Sequence, residues 1–162
     1  MREWSKNPVG EAYFYHLTRQ SINEALVPLL NKCLDNSWRV LVRGKDLDLL
    51  KVLDEKLWEG GDNVFLPHGL LGGPHDMDQP ILLAPEGQTP AHDCLICISG
   101  ANLTCEEVSL AKRVCIVFQG DISTDVEHAR NQWKALADEG LAAKYWDQSS
   151  GNWELKAETP AK

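Results

Sequence analysis

Arg130, Trp133 and Lys134 carry the clearest chemistry in this chain of 162 residues. Residues four apart on a helix share a face, and a residue three from the first lies beside them, so two cations would flank one indole. A guanidinium can fork onto a carboxylate while an aromatic ring packs an apolar side chain. Together the three would suit the end of a short acidic peptide. An ordinary amphipathic helix, with Trp133 in the core and its charges solvated, accounts for the same spacing, and both readings stand.

The other candidates fail on spacing or context. Cys94-x-x-Cys97 has the interval of a redox or metal pair. It lies in an apolar run that reads as a strand, where positions three apart face opposite sides. Two core cysteines are the better account. His75, Asp76 and Asp78 share a loop, but no second cluster would complete a metal shell, so no metal is assigned. Gly72-Gly73-Pro74 is followed by no helix signal that could turn a helix N-terminus toward a phosphate. Neither G-x-G-x-x-G nor G-x-x-x-x-G-K-[ST] occurs, and G-x-S-x-G is absent as well. His16 sits inside an aromatic strand and reads as a core histidine. His68, at a strand end, is the one histidine worth following. No catalytic residue and no cofactor is assigned.

An alternation of strands and helices must hold these residues. Ala12–Leu17 reads as an aromatic first strand. Ser21 with Glu24 forms a capping box ahead of Ile22, Leu26, Leu29, Leu30 and Cys33 at helical spacing. Pro28 falls inside that pattern and predicts a distorted first turn or a late start. Arg39–Val42 is a short apolar strand, and Asp46 caps a helix with Leu49, Leu50, Leu53 and Leu57 on one face. Val64–Leu66, Ile81–Leu83, Cys94–Ile98 and Val114–Phe118 are further strands, with a loop over 69–79 and a weak helix at Cys105–Leu110. The last helix runs from about Thr124 to Gly140, its C′ stop. Ala143–Trp146 and Gly151–Leu155 read as a small hairpin. The expectation is an α/β fold: a single-domain three-layer α/β/α sandwich with a mostly parallel sheet. Residues 1–156 form that domain and 157–162 a flexible tail.

Composition bounds the function. A chain of this length can bury a proper core. Its 43% apolar content includes no run near the ~18 residues of a membrane span. The first residues have no apolar h-region, so they are not read as a secretory signal. Five cysteines, three of them in apolar strand-like runs, fit reduced thiols in a cytoplasm. The net charge is −8, and between Lys56 and Lys112 there are eight acids and no Lys or Arg. Such a stretch repels phosphate, so direct contact with nucleic acid is not expected of it. The segment from Leu53 to His68 closes a helix on Trp58 and sets Phe65 beside Pro67, which makes a better docking surface than a catalytic pocket.

Arg39-Val40-Leu41-Val42, Leu53-Asp54-Glu55-Lys56-Leu57-Trp58, Phe65-Leu66-Pro67-His68-Gly69-Leu70, and Ala129-Arg130 with Trp133-Lys134-Ala135 stand in an order and spacing that is specific as a set. The chain resembles the chi subunit of the bacterial DNA polymerase III holoenzyme, from Tyr13 to Trp153. The resemblance implies a non-catalytic accessory part of the clamp loader. Such a subunit links the replisome to single-stranded DNA-binding protein by gripping its acidic, phenylalanine-ended C-terminal tail, and reaches DNA only through that partner. Carried over, the tail site comprises Arg130, Trp133 and Lys134. Trp133 stands where the family often has tyrosine. Gln119 stands where an apolar residue would complete the pocket, which implies a weaker grip. The surface for the psi subunit would be Trp58, Phe65 and Pro67, with His68 at its edge, and a helicase is an alternative occupant of it. The rival class is a small α/β nucleotide-binding domain or enzyme of unknown substrate, which would need a phosphate cradle or a general base.

Overall fold

Strands with apolar residues on both faces need helices on both sides, and that is the architecture of the computed structural model, which describes residues 11–59, 67–73 and 76–159, the side chain of Met77 excepted. In chain order the elements are β1 (Glu11–Leu17), α1 (Ile22–Asp35), β2 (Val40–Gly44), α2 (Leu47–Trp58), β3 (His68–Leu70), β4 (Ile81–Pro85), β5 (Cys94–Ile98), α3 (Cys105–Leu110), β6 (Arg113–Gln119), α4 (Ser123–Asp138), β7 (Ala142–Asp147) and β8 (Glu154–Thr159). The strands form one sheet in the order β3-β4-β2-β5-β6-β1-β7-β8. Every pair is parallel except β7 with β8.

The period of two in β1 divides the core. Tyr13, Tyr15 and Leu17 pack with Leu26 and Leu30 of α1 and Leu50, Leu53 and Leu57 of α2. Ala12 and Phe14 face the other way, against Val108 of α3 and Ala129 and Leu136 of α4. Cys94 belongs to the first cluster and Cys97 to the second, as strand alternation requires. Their distance from any redox role is chemical as well: burial pushes the Cys97 thiol up to about 12, and raises that of Cys94 strongly. All five cysteines are free.

Several local expectations need correction. Pro28 neither delays nor breaks α1, which starts at Ile22 behind an intact capping box. The proline is exposed, so the carbonyl it leaves unbonded is within reach of water. The strand near His68 begins at that residue rather than ending on it, and the Val64–Leu66 strand lies outside the described residues. Asp76, considered with His75 and Asp78, uses its carboxylate to accept from the Gly72 and Gly73 amides at 2.9 and 3.0 Å; His75 is outside the described residues. At the other end, β8 continues through Thr159, past residue 156 and into the stretch expected to fray. No described helix is long and apolar enough to cross a membrane.

Candidate functional site

A concavity beside exposed cations lies where α4 meets the β7–β8 hairpin. Its volume is about 380 Å³, and Arg130, Trp133, Tyr145, Lys156 and Ala157 line it. Helix α4 sets the first two on one face, one turn apart. Trp133 is half-buried, with its ring 5.3 Å from Phe14 and 5.9 Å from Tyr145, both edge-on. Phe118 lies 6.1 Å from Tyr145 on the same floor. Edge-to-face packing of this kind stabilises a pair by about 0.5–1.5 kcal/mol beyond area burial. The floor is therefore stiff and apolar, as the bed for an apolar side chain should be.

Tyr145 is held from behind. Its hydroxyl and His16 Nδ1 are 2.7 Å apart. Burial lowers the His16 pKa, with Asp147 opposing and the Arg130 charge reinforcing. The ring is thus neutral at pH 7, and Nδ1 and the Tyr145 hydroxyl share one hydrogen bond. Burial likewise raises the Tyr145 pKa, with Arg130 opposing. Gly120 makes this arrangement possible, because a Cβ there would run into the His16 ring. His16 is thus the satisfied histidine that its aromatic strand suggests, and it positions a groove residue.

Electrostatically the groove is open. Arg130 and Lys134 are exposed, and among the described residues neither pairs with a carboxylate. Lys134, one turn on, is outside the set that lines the groove. Gln119 is further away: it ends β6 and lines a separate crevice of about 420 Å³ at the carboxyl ends of β5 and β6, with Ile22, Leu49, Val52, Ile98 and Ile122. The structure thus brings Arg130 and Trp133 together and leaves Gln119 outside. Tyr145, Lys156 and Ala157 went unnoticed in the sequence, since only the hairpin register brings them to α4.

That second crevice is where open α/β sheets commonly take ligands. Two of its helix ends are closed to anions, whereas the start of α4 at Ile122 has no side-chain cap. Ser21 and Glu24 cap α1 reciprocally, and Asp46 accepts the Leu49 amide at 2.8 Å at the start of α2. Arg43, which lines a separate hollow with Glu86 and Asn102, forks onto Glu107 at 2.9 and 2.6 Å. The first amides of α1 and α2 are thus engaged, and the acid Asp125 lines the crevice at the open start of α4, which disfavours a phosphate there.

The second predicted surface is chemically different. Trp58 ends α2 with 54% of its area exposed, and its ring centre lies 4.2 Å from that of His68. His68 is not at a surface edge. Its side chain is fully buried, and Nε2 lies 3.3 Å from both the carbonyl and a carboxylate oxygen of Asp54. Pro67 is half-buried beside it, and Phe65 lies outside the described residues. Among the described residues no group of three metal-ligating side chains converges.

A family model described as "DNA polymerase III chi subunit, HolC" matches residues 10–144. A curated relative, "Probable DNA polymerase III subunit chi" of Rickettsia prowazekii (strain Madrid E), is 26% identical over 109 residues, or 64% of this chain. That match spans 66% of the relative, just under two thirds of its length. A solved structure titled as the C-terminal domain of a possible DNA helicase from Lactobacillus plantarum WCFS1 covers 68% of this chain and 74% of its own at 13% identity, with a TM-score of 0.50. That likeness concerns the fold alone.

Proposed function

The chain belongs to the DNA polymerase III chi subunit family, and from that premise we propose that it is a non-catalytic accessory subunit binding the acidic C-terminal tail of single-stranded DNA-binding protein. The observation that carries the reading is the unpaired Arg130 beside a half-buried Trp133 over an aromatic floor. In this assignment Arg130 forks onto the terminal carboxylate and Trp133 with Tyr145 packs the phenylalanine ring. Lys134 adds to the positive field that draws in the acidic segment. The acidic middle of the chain would keep the protein off DNA, while the tail gives it access through a protein already on the strand.

One tail buries a single ring, and one apolar side chain contributes only about 1.5–3 kcal/mol. The contact is therefore weak singly and gains from several tails presented on one coated strand. The test is a calorimetric titration with a synthetic peptide ending in Asp-Phe. Arg130→Ala is expected to weaken binding at least about tenfold. Equal affinity in that variant would reject the site.

Trp58 and Pro67 form the described part of the surface assigned to a psi-type subunit within the clamp loader. An exposed indole stacked on a buried imidazole is an apolar anchor, the kind of residue that dominates protein interfaces. Loss of psi co-purification in Trp58→Ala, with the melting temperature nearly unchanged, is the expected result. Undiminished co-purification would rule this surface out.

A further inference from the structure

The crevice at the carboxyl ends of β5 and β6 takes no part in the groove, since the two share no lining residue. Two exposed apolar side chains stand on it, Val52 with 51% and Ile122 with 38% of their area open. Neither is demanded by the fold. Val52 is exposed on a helix that already buries Leu50, Leu53 and Leu57. Ile122 holds the N-cap position of α4, where a side-chain oxygen would accept a free amide, and makes no such bond. The chain gives up that cap for an isoleucine in water. Ile22, Leu49 and Ile98 complete the apolar lining.

Each of these exposed residues has a charge one helical turn further on. Lys56 follows Val52 by four positions and Asp125 follows Ile122 by three, so each pair shares a helix face. Both charged side chains line the crevice. Among the described residues neither lies within ion-pair distance of an opposite charge. Asp125 is half-buried, and burial raises its pKa against the pull of Lys45 and His128. The crevice thus presents an apolar-then-cationic step on α2 and an apolar-then-anionic step on α4. The two steps are similar in length and opposite in charge.

A surface with an apolar middle and opposite charges toward its two sides matches itself when rotated by a half turn. We propose that this crevice is the interface of a two-fold dimer of the chain, in which Val52 and Lys56 of each copy meet Ile122 and Asp125 of the other. In a two-fold contact every pairing occurs twice, so two apolar contacts and two ion pairs form together. The apolar residues supply the attraction, and the charges fix the orientation and reject a shifted register. Because the groove at Arg130 shares none of these residues, each dimer would carry two grooves.

The test is sedimentation velocity on the full chain from about 1 to 500 µM, where a small apolar interface should pass from monomer to dimer. Val52→Ser and Ile122→Ser should each weaken association at least about tenfold. Lys56→Glu and Asp125→Lys should each do the same, because each sets like charges together at both symmetric contacts. The double variant carrying both swaps should recover the original association to within about threefold, which a folding defect in either single variant could not produce. Leu110→Ser, which removes an exposed leucine outside the crevice, should associate normally. A chain that stays monomeric throughout would overturn the proposal and leave the crevice to an unlike partner. A dimer indifferent to both single swaps, or a double variant no better than either, would overturn it equally.

Discussion

Two surfaces of this molecule each present a tryptophan, and they use it in opposite ways. Trp133 is half-buried, packed edge-on by Phe14 and Tyr145, with exposed cations around it. Trp58 projects from the end of α2 and lies against the tilted ring of a histidine whose Nε2 is turned inward to Asp54. In the proposed reading the first is a slot for a charged chain end and the second an apolar anchor for a partner. Electrostatic partners are steered and screened, whereas apolar ones are governed by area and shape. Under the proposed function, one fold would carry two attachment points that respond to different conditions.

The sharpest way to break the comparison is at His68. Replacing the fully buried ring by Ala removes its bond to Asp54 and leaves a void beneath Trp58. The expected cost is about 2–3 kcal/mol. Thermal unfolding should show this as a fall of roughly 5–10 °C, while Trp58→Ala costs under about 1 kcal/mol. Equal losses would mean that Trp58 is core and its surface role is mistaken.

At the groove, Gly120→Ala should matter although the residue touches no ligand. The new methyl displaces His16, releases the Tyr145 hydroxyl, and lets the floor move. Peptide affinity should fall about fivefold by calorimetry, and His16→Phe combined with Gly120→Ala should add little further loss. Full additivity would show that the His16–Tyr145 contact does not shape the groove.

Salt separates the two surfaces next. Raising it from about 0.05 to 0.5 M should weaken tail-peptide binding several-fold, because the cations are exposed. Attachment through Trp58 should hold or strengthen. A salt-insensitive groove would mean that the cations are bystanders.

The smallest effect is on pH. The folded pKa of His16 is depressed by burial, so below about 6.5 the unfolded chain binds the proton more readily and stability declines as pH falls. His128 is depressed in the same direction, chiefly by burial and Lys45, and contributes to the same slope. Between pH 7 and 5.5 the melting temperature should drop by a few degrees, and by less in His16→Phe. An unchanged slope in that variant would place the titration elsewhere.

Much of this was legible in the chain because it is local. The alternation through Tyr13, Phe14 and Tyr15 foretold a strand packed on both faces, and Ser21 with Glu24, Asp46 and Gly140 marked helix ends that the structure reproduces. The spacing of Arg130 and Trp133 put a cation and an indole on one helical face. What could not be read depends on distant register. Lys156 reaches the groove only because a bulge offsets β8 by one residue against β7, and no spacing along the chain encodes that. His68 was misplaced for a related reason. A histidine beside Pro67 reads as a strand end at a rim, whereas β3 starts there and turns the ring under Trp58. Gln119 follows the Val114–Phe118 run, where the family resemblance puts a groove residue, but β6 extends to include it and ends beside Ile98 and Ile122.

The most direct measurement is a nuclear magnetic resonance titration of the labelled chain with the Asp-Phe peptide. Binding in the groove should give saturable shifts centred on the Trp133 indole N–H, the Arg130 side chain and the amides of Tyr145 and Lys156, with Trp58 silent. Shifts centred on Trp58 and His68, or none that saturate, would contradict it.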